Sequence, residues 1–175
     1  MENALRGKLG QLFTTHRKAS EYASHNDLDK FFKFTIVRNP WDKMVSEYFY
    51  YREGGSKGFK KDKILSRKMP DSFLRFIKND FWPLKPERPK HHCTQLSFLG
   101  ANKKENVMDY VCKFETLRKD AAVVSGKIGF HLNLPHLRKS KHSHYSEYYD
   151  DEAREIVADA YREDIQYFGY KFGVS

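Results

Sequence analysis

Cysteine is scarce: the 175 residues hold two, Cys93 and Cys112. Two thiols cannot build a disulfide framework or a four-ligand zinc site, so the alternatives are free thiols or one bridge between them. No apolar run approaches the roughly 18 to 20 residues that span a bilayer. Met1-Glu2-Asn3-Ala4 has neither the basic start nor the apolar stretch of a signal peptide, so the chain as it stands reads as soluble and unexported. Internal repeats are absent. Eight histidines are present, but His91-His92 and the group His136, His142 and His144 lack i,i+4 pairing with a nearby acid. No bound metal is expected.

Aromatic residues make up 15% of the chain and hydrophobic residues 39%, which excludes wholesale disorder. The length suits a single domain over residues 1–175. The net charge is +9, which favours an anionic partner such as a nucleotide, a sulfated or uronic sugar, nucleic acid or a membrane surface.

Along the chain, residues 2–13 predict a helix with Ala4, Leu5, Leu9 and Leu12 on one face. Residues 31–38, rich in aromatic and β-branched types, predict a buried strand. Asn39 then caps a helix with Pro40 at its first position, and Trp41, Met44, Val45 and Tyr48 form its apolar stripe. A polar loop is expected over 54–68, a short helix from Pro70-Asp71-Ser72 through Ile77, and an irregular Pro-rich connection over 83–89. Val107 to Phe114 predicts a second strand, and Thr116 caps a helix to Ile128 that Gly129 ends. After a basic loop over 131–149, one last helix is expected from Asp151 to Phe168, burying Ile156, Val157, Ala160, Tyr161, Ile165 and Phe168. Alternating strands and helices predict an α/β fold with a parallel sheet flanked by helices.

The first strand delivers Arg38 to its carboxyl end, where open α/β sheets bind ligands, and the following helix start favours phosphate. Ser46, eight residues on and off the buried stripe, could add a hydrogen bond to the same anion. The alternative is that Arg38 pairs with a carboxylate such as Asp42 and Ser46 is simply solvated.

The run Val37-Arg38-Asn39-Pro40-Trp41-Asp42-Lys43-Met44-Val45-Ser46 closely resembles the 3′-phosphate-binding motif of carbohydrate sulfotransferases that use 3′-phosphoadenosine 5′-phosphosulfate (PAPS), a group that includes heparan sulfate 2-O-sulfotransferase. Further segments agree in order: Gln95 to Leu99, Lys113 to Leu117 with Asp120, Leu134 to Ser140, and Tyr161 to Ile165 with Phe168-Gly169-Tyr170. The resemblance covers essentially the whole chain. It implies a P-loop-kinase-like sulfotransferase fold, with Arg38 and Ser46 on the 3′-phosphate and the loop Arg138, Lys139, Ser140 and Lys141 closing over PAPS. It also implies that His16, 22 positions ahead of Arg38, is the general base, because a histidine near neutrality can take the proton of an attacking hydroxyl. His91, His92 and Gln95 are implied at the cleft for a carbohydrate acceptor. No nucleic acid is expected as partner, since no nucleic-acid motif accompanies the charge.

Family members begin with a strand and a Lys-Thr-Gly-Gly-Thr-Ser-like loop that cradles the 5′-phosphosulfate. Nothing of that kind stands before Arg38, and Met1 to Leu5 resembles the helix after that loop. The expectation is an N-terminally incomplete fold beginning at an internal methionine of a longer protein. The competing reading is a complete but catalytically defective, binding-only relative. A complete chain would be cytoplasmic, whereas a missing front could carry a Golgi or membrane anchor.

Overall fold

The computed structural model describes residues 30–55, 66–80, 93–99, 108–132 and 142–174. The expected helix over 2–13 and the connection over 83–89 lie outside the described residues.

Strand β1 (Phe34–Val37) pairs in parallel with β2 (Tyr110–Lys113), in a register that sets Phe34 opposite Tyr110 and Val37 opposite Lys113. Both expected strands are present but shorter than read from composition. The expectation of a buried β1 holds for one residue: Val37 is 2% exposed, while Phe34 and Ile36 are 37% and 43% exposed. Alternate side chains of a strand point to opposite faces. Val37 lies on the face that joins the core, and its neighbours Phe34 and Ile36 point away from it.

Helix α1 (Pro40–Arg52) begins as the sequence predicts. The Asn39 side chain accepts from the Trp41 N–H at 3.1 Å, and Pro40 follows it. Trp41, Met44, Val45 and Tyr48 are buried, and Tyr51 extends the stripe. Burying one such side chain stabilises the fold by about 1.5–3 kcal/mol relative to exposure, and this stripe is the centre of the core. Around it pack Phe73, Phe76 and Ile77 of α2 (Phe73–Asp80), Leu96 and Leu99, and Tyr145. Ala153 and Val157 of α4 (Asp151–Ala160) and Phe168 of α5 (Arg162–Phe168) join them, with Tyr161 between the two helices. Helix α2 starts beyond Pro70-Asp71-Ser72 as expected and runs on to Asp80; residues 66–68, expected in a loop, are helical.

Helix α3 (Leu117–Ile128) follows β2 through a 3-10 turn and ends at Gly129, whose φ of 75° is left-handed. Thr116 stands at the N-cap position without acting as a cap. Its hydroxyl donates to the Asp120 carboxylate at 2.7 Å, which also receives the Lys113 N–H and the Tyr110 hydroxyl. The hydroxyl is thus a donor to the acid one turn into the helix, and its oxygen accepts no helix N–H.

The expected last helix is broken. It ends at Ala160 and restarts at Arg162, with Tyr161 at φ −118° between them. The break carries Tyr161, Asp164 and Phe168 into the interior, while Ile156, Ala160 and Ile165 only pack at its edge. Cys93 and Cys112 are both free thiols. The architecture is α/β, among the described residues a parallel two-stranded sheet with helices around it, as the sequence predicts.

Candidate functional site

Arg38 is the first residue after β1, and its side chain is held on two sides. Its Nε donates to the Asp42 carboxylate at 2.6 Å, and its guanidinium lies 4.3 Å from the centre of the Phe114 ring. The pairing with Asp42 that the sequence left open is therefore present. It engages Nε, while the terminal nitrogens of the guanidinium fork are the donors suited to a two-point grip on an oxyanion. Asp42 and Ser46 are spaced i,i+4 on α1, so they share one face of the helix. Ser46 is half-buried on that face.

Main-chain groups at the start of α1 are engaged as well. The Asn39 N–H donates to Glu115 at 2.6 Å, which puts a carboxylate at the positive end of the helix. The second oxygen of Glu115 accepts from the Tyr170 hydroxyl at 3.4 Å. Burial, reinforced by the Glu115 charge, pushes the Tyr170 phenol well above its ordinary value. The Asn39 amide donates to the Tyr145 hydroxyl and to the Lys171 carbonyl, binding the cap to the C-terminal segment.

Gln95 faces Arg38 from the opposite side. Its Oε1 accepts the Arg38 N–H and its Nε2 donates to the Arg38 carbonyl, both at 2.8 Å. Behind it, the Asp164 carboxylate accepts the N–H groups of Gln95 at 2.7 Å and Leu96 at 2.9 Å. Asp164 is 0% exposed. Burial raises its carboxyl above the usual value, opposed by the Leu96 and Gln95 N–H groups and by Lys43. Lys43 lies with its ammonium 4.8 Å from the centre of the Tyr161 ring, and burial lowers it against the pull of Glu47 and Asp164.

Beside Arg38 opens a cleft of about 510 Å³, lined by Asp42, Phe114, Glu115, His142, Ser143, His144 and Tyr145. His142 is stacked on Phe49, and its Nδ1 lies 2.8 Å from the Ser143 carbonyl. A carbonyl only accepts, so Nδ1 carries the proton and Nε2 is the basic nitrogen of the neutral ring. His144 Nδ1 lies 2.7 Å from the Ser146 hydroxyl.

Of the site residues read from sequence, Arg38 and Gln95 are in contact, and Ser46 stands on the helix face that carries Asp42. His16, His91, His92, Arg138, Lys139, Ser140 and Lys141 lie outside the described residues. His142 and His144 read from the sequence only as candidate metal ligands, and Asp164 carries no reading of its own there. The signal for Asp164 was its i+3 position from Tyr161, on an otherwise apolar face. Among the described residues there is no group of three His, Cys, Asp or Glu side chains that could hold a metal ion. None of the described helices is long and apolar enough to cross a membrane.

A parallel strand that hands an arginine to its carboxyl end, beside a capped helix start, defines an α/β protein of the kind that binds ligands at its strand ends. Within that class the match is specific: the model of the Sulfotransferase family matches residues 2–171. The chain belongs to the sulfotransferase family, whose members transfer a sulfuryl group. No curated protein and no solved structure matches it.

Proposed function

We propose that the sulfuryl donor is PAPS and that the acceptor is a hydroxyl of a carbohydrate. The observation that carries this reading is the face formed by Arg38, Asp42 and Ser46, where a guanidinium is held at Nε by a carboxylate and against a ring by Phe114. A guanidinium held in that way keeps its terminal donors aimed, and a hydroxyl one turn beyond Asp42 adds a neutral donor. This set fits a 3′-phosphate, which presents several oxygens around one centre. When bound, PAPS supplies the activated sulfuryl group. His16 would take the proton from the acceptor hydroxyl as its oxygen bonds to sulfur and the bond from sulfur to the donor's phosphate oxygen breaks, with adenosine 3′,5′-bisphosphate as the leaving group. Arg138, Lys139, Ser140 and Lys141 neutralise the donor's charge, and His91 and His92 belong to the acceptor side.

The neighbouring cleft suits a sugar. Phe114 is exposed there, and the carboxylates of Asp42 and Glu115 can accept from hydroxyl groups.

Calorimetric titration with adenosine 3′,5′-bisphosphate tests the reading. Arg38→Ala is expected to weaken binding about tenfold or more, the size of a lost charged hydrogen bond. Unchanged affinity in that variant overturns the assignment. Salt-sensitive binding of unrelated DNA with no bisphosphate binding would replace it with a nucleic-acid-binding function.

A further inference from the structure

We propose that Gln95 and Asp164 are positioning residues that aim Arg38, and so set the selectivity for a nucleotide carrying a 3′-phosphate; this rests on the assignment of Arg38 to that phosphate. Arg38 lies one residue beyond Val37, the last residue of the β1–β2 ladder. Its N–H and carbonyl would need other partners, and the Gln95 amide meets both at 2.8 Å. A primary amide has the same donor and acceptor as a peptide group. Gln95 therefore acts as one residue of a neighbouring strand, extending the pairing by one position and fixing the direction in which the Arg38 side chain leaves the backbone.

The clamp has its own support. Asp164 binds the 95–96 turn with both oxygens, accepting from Gln95 N–H through Oδ2 and from Leu96 N–H through Oδ1. The Gln95 Nε2 also lies 3.4 Å from Oδ2, so the carboxylate orients the amide as well as the main chain. A carboxylate with 0% exposure is costly to bury unless its oxygens are satisfied, and all three hydrogen bonds described for it come from this turn. In catalysis a misplacement of about 1 Å can cost on the order of a hundredfold in rate, so holding a charged group in place matters. The chain from Asp164 through Gln95 to Arg38 is thus a means of holding the guanidinium in register with its anion.

A turn that merely holds the fold together would affect all adenine nucleotides alike, whereas an aiming device affects the one with the 3′-phosphate. The experiment is titration of adenosine 3′,5′-bisphosphate and adenosine 5′-phosphate against the wild type, Gln95→Glu, Gln95→Ala, Asp164→Asn and Arg38→Ala. Gln95→Glu keeps the size and the acceptor of the side chain, removes the donor to the Arg38 carbonyl and adds a charge. A charge acts with or without Arg38, whereas lost aim acts only through it, so the variant combined with Arg38→Ala separates the two. Alone, Gln95→Glu is expected to lower the ratio of the two affinities about five- to tenfold, with 5′-phosphate binding within about twofold of wild type. Added to Arg38→Ala, it is expected to lower the ratio no further. A wild-type ratio in Gln95→Glu, while Arg38→Ala loses it, overturns the positioning role and leaves the phosphate assignment standing. A wild-type ratio in Arg38→Ala overturns the phosphate assignment itself. Gln95→Ala and Asp164→Asn carry the same expectation and decide the matter if Gln95→Glu does not fold.

Discussion

Asn39 does two jobs with one side chain. Its Oδ1 caps α1 through the Trp41 N–H, and its Nδ2 ties the cap to Tyr145 and to the Lys171 carbonyl. At 1% exposure, none of these partners has water as a substitute at the Asn39 side. Asn39→Ala removes a cap, about 1 kcal/mol, and strands buried polar groups at about 1–3 kcal/mol. The expected loss in urea unfolding is about 2–4 kcal/mol. Asn39→Ser keeps a neutral capping oxygen and loses both amide donors, so a loss smaller than that of Asn39→Ala is expected. Equal losses would show that capping contributes nothing here.

The elements show how the same residue type carries opposite weights within one helix. Gly129 closes α3 at φ 75°, while Gly126 lies inside it, and an added Cβ at either position meets nothing within 4 Å. The difference is therefore conformational. Gly129→Ala is expected to cost about 1–2 kcal/mol, the strain of a left-handed L-residue. Gly126→Ala should stabilise by about 0.5–1 kcal/mol, because alanine loses less chain entropy in a helix. Thermal unfolding of the two variants should shift in opposite directions. The break between α4 and α5 is a different kind of event, since no glycine or proline marks it. Its effect is to bring Asp164 to the 95–96 turn.

At the scale of the whole molecule, acid should act among the described residues chiefly through three aspartates. Hydrogen bonds from Lys33 lower Asp109, and those from Lys78 and Ala153 lower Asp150. Burial works to raise Asp120, but the Lys113 N–H and the hydroxyls of Thr116 and Tyr110 bring it below its ordinary 3.8. A carboxyl whose folded value lies below its unfolded one stabilises the fold above the unfolded value and loses that contribution as pH falls through the folded one. Asp164 has the opposite sign: burial raises it, so between 3.8 and its raised value its contribution declines as pH rises. With three groups against one, the urea midpoint is expected to drop as pH falls below 3.8, and Asp120→Asn is expected to flatten that acid limb. A midpoint that holds constant through this range would contradict these assignments.

Local signals were legible from residue order. The cap at Asn39, Pro40 behind it, the stripe of α1 and the stop at Gly129 each depend on groups within about one or two turns of each other, and the structure reproduces them. The α/β class followed from the alternation of those elements. What residue order could not convey were the contacts between distant positions: Arg38 with Gln95 across 57 residues, Gln95 with Asp164 across 69, and Asn39 with Tyr145 across 106. Thr116 reads as a cap by residue type, yet its hydroxyl donates to Asp120 and accepts no helix N–H. A side chain's local preference is worth about a kcal/mol, whereas leaving a buried carboxylate or amide unpaired costs more. Folding therefore obeys the local rules wherever they do not conflict with burial. At Asp164 and Gln95, where burial demands partners, only packing of the whole chain supplies them.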